Sequence, residues 1–202
     1  TFVGRCGLRA VSYLCVRQNR TVSTTFPRTR KSKLGYNVDQ VEDFLEEARR
    51  AYTADRGDSS VVSSRSIRKL AFAMEKGGYS TLHVDSALER LEDAFASRER
   101  DRSIAELGET AWYANARAEA QEILNRLARH DGKKFSKVSS FTMGYAVKDV
   151  DAFAQELSNY FQHGAPLTID RVRTIAFRSA KGGYREAQVD YLLDSVIDVM
   201  LA

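Results

Sequence analysis

Lys76-Gly77-Gly78-Tyr79-Ser80-Thr81-Leu82-His83-Val84-Asp85 contains the pattern that decides the fold: a Gly-Tyr pair, a four-residue gap, then a valine followed by an acid. The pattern recurs at Gly35-Tyr36…Val41-Glu42, Gly144-Tyr145…Val150-Asp151 and Gly183-Tyr184…Val189-Asp190. Phe26 and Phe135 stand nine residues before the first and third glycines, whereas Phe72 and Phe177 stand six before the second and fourth. The motifs alternate in type, so the larger unit is a pair and the chain is that pair written twice.

Laying Ile67 onwards over Val172 onwards, an offset of 105, matches Arg68 with Arg173, Ala71 with Ala176, Lys76 with Lys181, Leu88 with Leu193 and Asp93 with Asp198, besides the motif residues. The first member of each pair aligns at an offset of 109, through Val38/Val147, Phe44/Phe153 and Glu47/Glu156. Glycine, aromatics and helically spaced apolar residues persist, and no set of Ser, His, Cys or Asp persists with them as a catalytic site requires. The histidines His83, His130 and His163 do not recur between the halves. The expectation is a protein without enzymatic activity, cofactor or metal site.

The formal charge is +4, from 31 basic and 27 acidic residues, and Arg5, Arg9, Arg17 and Arg20 in the acid-free segment 1–21 account for it. Both cysteines, Cys6 and Cys15, lie in that segment, so neither a disulfide framework nor a zinc site is expected. The segment lacks the apolar stretch of a signal peptide. We expect it to be a non-native leader, with Val22 as the true start. No run spans a bilayer, and a cytoplasmic setting is expected.

After each Gly-Tyr pair the apolar residues step by three and four, as in Val41, Phe44/Leu45, Ala48, Tyr52 and Val189, Leu192/Leu193, Val196, Met200, which is the period of an amphipathic helix. Asn37 and Ser80 stand where N-caps belong, and the acid after each valine suits the positive end of the helix dipole. Ile67, Leu70, Ala71 and Met74, like Val172, Ile175 and Ala176, predict short helices ending at the glycine pairs, so that Lys-Gly-Gly-Tyr forms a helix-turn-helix corner with Tyr79 and Tyr184 folded onto the core. The segments from Phe26 and Phe135 to the next motif read as extended. Ile104, Leu107, Ala111/Trp112, Ala118, Ile123/Leu124 and Leu127 predict one long connecting helix, with Trp112-Tyr113 in the core. The expected fold is all-α: a paired helical motif at 22–96, a connecting helix at 97–131 and a second pair at 132–202. Whether the two pairs pack together is left open.

A phenylalanine, a Gly-Tyr, then Val-acid and a Phe-Leu helix resembles the DivIVA domain of bacterial division and polar-growth scaffolds. Phe26…Gly35-Tyr36…Val41-Glu42-Asp43-Phe44-Leu45 is the nearest match and Phe135…Gly144-Tyr145…Val150-Asp151-Ala152-Phe153 the next. Four motifs in register, with the Lys-Gly-Gly-Tyr variant between, are similar to the DivIVA-domain repeat proteins of actinobacteria. The resemblance implies a scaffold or protein-interaction module with protein partners, and a membrane contact at the turn before Gly-Tyr. Here Lys33-Leu34 and Thr142-Met143 occupy those turns, where the family carries an aromatic and an arginine. Weak contact with a partner or with the inner membrane face is therefore expected through Lys31, Lys33, Leu34, Phe141 and Met143. The alternative is a nucleic-acid-binding helical protein using Arg65, Arg68, Lys69, Arg171 and Arg173; the neutral charge balance after Val22 speaks against it.

Overall fold

The computed structural model describes residues 26–53 and 62–202. The segment 1–21 expected to be a leader, its cysteines and the start expected at Val22 lie outside the described residues. The first half runs β1 (Leu34–Tyr36), α1 (Val38–Thr53), α2 (Ser64–Arg68), β2 (Met74–Lys76) and α3 (Thr81–Leu107). α4 (Glu109–Leu127) leads into the second half: β3 (Met143–Tyr145), α5 (Val147–His163), α6 (Ile169–Arg173), β4 (Ser179–Lys181) and α7 (Glu186–Leu201). The described residues are mostly helical, and each half repeats the order strand, helix, short helix, strand, helix.

The helical class expected from the sequence holds, and the two short two-stranded ladders it does not predict lie at the Gly-Tyr motifs. β1 pairs antiparallel with β2, Gly35 opposite Glu75, and β3 pairs with β4, Gly144 opposite Ala180. Beyond each ladder the two motifs of a pair cross backbone to backbone. Tyr36 N–H donates to the Tyr79 carbonyl at 2.9 Å and Tyr79 N–H returns the bond to Tyr36 at 2.8 Å; Tyr145 and Tyr184 do the same at 3.0 and 2.8 Å. This crossing explains the motif glycines. A Cβ on Gly35 would collide with the Tyr79 carbonyl oxygen and stand 2.8 Å from the Gly78 carbonyl carbon, and one on Gly78 would meet Tyr36 and Gly35 in the same way.

The helix expected to run to Lys-Gly-Gly-Tyr stops early. α2 ends at Arg68 and α6 at Arg173, and Met74 lies on β2 rather than on a helix. Ser63 and Thr168 cap these short helices through Ser66 N–H at 3.1 Å and Arg171 N–H at 3.2 Å. A helix of this length has little stability of its own, so the strand pairing that follows overrides the local period. The corner is therefore helix, strand, turn, helix. Asn37 caps α1 as expected, its Oδ1 accepting from Gln40 N–H at 3.0 Å. Ser80 occupies the N-cap of α3 without a capping bond, and its hydroxyl lies 2.9 Å from His83 Nδ1.

The connecting run is two helices. α3 continues through 97–107, the chain breaks at Gly108, and α4 begins at the next residue. Trp112-Tyr113 is not core: Trp112 is half-buried, Tyr113 is exposed, and the buried residues of α4 are Ile123 and Leu127. These two join α5 and α7 in a continuous core that includes Val150, Phe153, Leu157, Val189 and Val196. Among the described residues the first half holds two separate clusters, one around Val41, Tyr79 and Val84, the other around Ala48, Ile67 and Phe95. No buried cluster of the described residues spans both halves. Tyr79 and Tyr184 fold into the core as expected, and both are fully buried.

Candidate functional site

Every aromatic and acid of the motif acts on the other motif of its pair. Phe26 stands edge-on to Tyr79 at 5.5 Å and Phe72 edge-on to Tyr36 at 5.5 Å; Phe135 meets Tyr184 at 5.3 Å and Phe177 meets Tyr145 at 5.2 Å. Tyr79 donates its hydroxyl to Glu42 at 2.5 Å and Tyr184 donates to Asp151 at 2.9 Å. In the other direction Asp85 acts on the Tyr36 phenol and Asp190 on the Tyr145 phenol. Glu42 and Asp151, whose sequence positions predict helix-start charges, thus also accept from the tyrosine of the partner motif. Burial, and then the Asp151 hydrogen bond, push the Tyr184 phenol from 10.0 up to about 12. Burial and the acids raise Tyr36 and Tyr145 in the same direction. These phenols remain donors across the neutral range.

The two halves do pack together, through α2 and α3 against α6 and α7, around reciprocal ion pairs. Arg68 on α2 reaches Asp198 on α7 at 2.9 Å, and its counterpart Arg173 on α6 reaches Asp93 on α3 at 2.9 Å. Arg65 pairs with Asp198, and Lys69 with Asp194 at 3.1 Å. Glu92 lies at the centre, 3% exposed: Oε1 accepts from Arg68 Nε at 2.7 Å, and Oε2 stands 3.0 Å from Arg173 Nη2. The residue matching Glu92 in the second half is Ile197, so Arg173 Nε finds no acceptor and is left buried without a partner.

Beside this centre opens a cleft of about 350 Å³. Its lining falls into seven pairs at the offset of 105: Ile67/Val172, Arg68/Arg173, Leu70/Ile175, Asp85/Asp190, Leu88/Leu193, Glu89/Asp194 and Glu92/Ile197. The halves therefore meet about an approximate two-fold axis, as subunits of a symmetric dimer do. Among the described residues no group of three or more His, Cys, Asp or Glu side chains is placed to hold a metal ion.

The residues expected to contact a partner or membrane fall on two tips, one per half. Lys31, Lys33 and Leu34 crown the turn before β1, with Leu34 opposite Lys76 and 57% exposed. Phe141 and Met143 crown the turn before β3, with Met143 opposite Lys181; they are 90% and 50% exposed. Each turn is knit to the glycine corner of its ladder, by Gly77 N–H to the Lys33 carbonyl at 2.9 Å and by Gly182 N–H to the Thr142 carbonyl at 3.0 Å. The tips are thus held apolar groups beside lysines. Met74, 49% exposed and opposite Tyr36, is a further apolar residue of the first ladder that helical periodicity had placed elsewhere.

The arginines of the nucleic-acid alternative are engaged otherwise. Arg68 and Arg173 are 9% and 10% exposed within the ion pairs between the halves. Arg65 and Lys69 pair across the same junction, and Arg171 stands 3.6 Å from Glu156. No helix among the described residues is long and apolar enough to cross a membrane. Comparison with family models, with curated proteins and with solved structures finds no match.

Proposed function

We propose that this chain is a non-enzymatic scaffold or protein-interaction module, built by tandem duplication of a DivIVA-like motif pair and acting through its two tips in bacterial cell division or polar growth. What supports the duplication is the recurrence of element order, strand register and the Tyr–acid bond between the motifs in both halves. The observation that carries the functional reading is Phe141, almost fully exposed on an ordered turn next to Met143, with Leu34 at the matching turn of the other half. A large apolar side chain held out from a fixed backbone contributes little to folding and offers area to a partner or to the headgroup layer of a membrane. One such tip binds weakly; two acting together gain by effective concentration. The nucleic-acid alternative is not favoured, because its arginines are held by carboxylates.

The test is the position of a fluorescent fusion in the natural host. Septal or polar foci that disperse in the Leu34→Ser, Phe141→Ser double variant are the expected result, and a diffuse wild-type signal would overturn the proposal. Co-sedimentation with anionic and neutral vesicles at low salt then separates a lipid contact from a protein one.

A further inference from the structure

We propose that the chain exchanges halves with a second copy of itself, α3 and α4 straightening through Gly108 into one helix. Gly108 has φ 83° and ψ 151°, a conformation essentially confined to glycine, while a Cβ built there meets nothing within 4 Å. The break is therefore a matter of backbone angle alone. The helical ladder runs up to the glycine and resumes from it: Gly108 N–H donates to the Ile104 carbonyl at 2.9 Å, and Trp112 N–H to the Gly108 carbonyl at 3.1 Å. Only the N–H groups of Glu109, Thr110 and Ala111 lack a carbonyl within α4, and a straight helix would give them those of Ala105, Glu106 and Leu107. The apolar step Ile104, Leu107, Ala111 continues through the break without interruption.

The contact between the halves is suited to such an exchange. It carries reciprocal ion pairs beside a cleft, and the buried cores on either side are separate. α4 belongs to the second half, since Ile123 and Leu127 lie in its core, so hinge opening moves complete units. A continuous helix from Thr81 to Leu127 would extend about 70 Å and carry Ile123 about 46 Å from Glu92. The second half of the same chain could then no longer reach Arg68. A second copy could, and in a two-fold arrangement both junctions form at once, the usual route of exchange between identical chains.

Lys69 and Asp194 provide the readout, because their charged groups stand 3.1 Å apart across the junction. A carbodiimide joins an amine directly to a carboxylate, so it can link this pair without a spacer. Heavy-isotope and unlabelled chains would be mixed, incubated at high concentration and cross-linked, for the wild type and for Gly108→Ala. The expected result is that Gly108→Ala runs at twice the monomer mass by light scattering, with about half of its Lys69–Asp194 links joining heavy to light peptides, as random reciprocal exchange requires. A monomeric Gly108→Ala, or a dimer whose links join only like-labelled peptides, would overturn the proposal. Should Gly108→Ala not fold, the wild type decides: mixed-label links support exchange and their absence refutes it.

Discussion

The two halves share a backbone plan but differ in how their helices are covered. In the second half α4 closes the core, and Ala154 and Val196 are buried; at the matching positions of the first half, Leu45 and Leu91 are only half-buried among the described residues. The strand crossings, by contrast, repeat almost bond for bond. The ladder and its glycines therefore specify the unit, because they are closed within one motif pair. The helix faces depend on what lies over them, so stability is concentrated where α4 is.

The largest break in this comparison is expected at Glu92. Glu92→Leu leaves Arg68 and Arg173 buried without their shared carboxylate, and a loss of about 3 to 5 kcal/mol is expected from the midpoint of urea unfolding. Next comes Leu127→Ala, which opens a cavity under α4 and should cost about 3 kcal/mol. Amide hydrogen exchange should accelerate in α5 and α7 and stay unchanged in α1; equal acceleration in α1 would mean that the halves share one cooperative core.

A smaller loss, about 2 kcal/mol, is expected for Tyr184→Phe, which removes the donor to a buried carboxylate. Its pH dependence sharpens the test. A phenol whose folded value is about 12 against an ordinary 10.0 holds its proton more tightly in the folded state, so its stabilisation is complete below pH 10 and is lost as the pH rises toward 12. The gap between wild type and Tyr184→Phe in unfolding midpoint should narrow over that interval. The smallest net effect is expected for Ile197→Gln: an acceptor near Arg173 Nε offsets much of the apolar burial lost at this core position, leaving a change of under about 1 kcal/mol.

Much of this was legible in the residues. The constant Gly-Tyr spacing located the unit, and the three-and-four step located the long helices. The three-residue strands were not legible, because so short a segment shows no alternation to set against a helical period. Gly108 was hidden for the opposite reason, the apolar period continuing straight across it. The junction between the halves does leave a signal in the sequence. Arg68/Arg173 and Asp93/Asp198 are charged identities that no single amphipathic helix requires, and each arginine turns out to bind the other half's aspartate. The motif acids read locally as helix starters because their tyrosine partners lie some forty residues away, as Tyr79 does from Glu42 at a separation of 37.

The lone Glu92 has a consequence for how such a chain can evolve. On the axis of a true homodimer a residue faces its own copy: two glutamates would repel one another, and two isoleucines would leave the Nε of both arginines without an acceptor, as Arg173 Nε is here. Joining the copies in one polypeptide lifts that constraint, since each position near the axis can mutate alone. A single carboxylate can then neutralise cations from both sides, a solution that requires unequal partners.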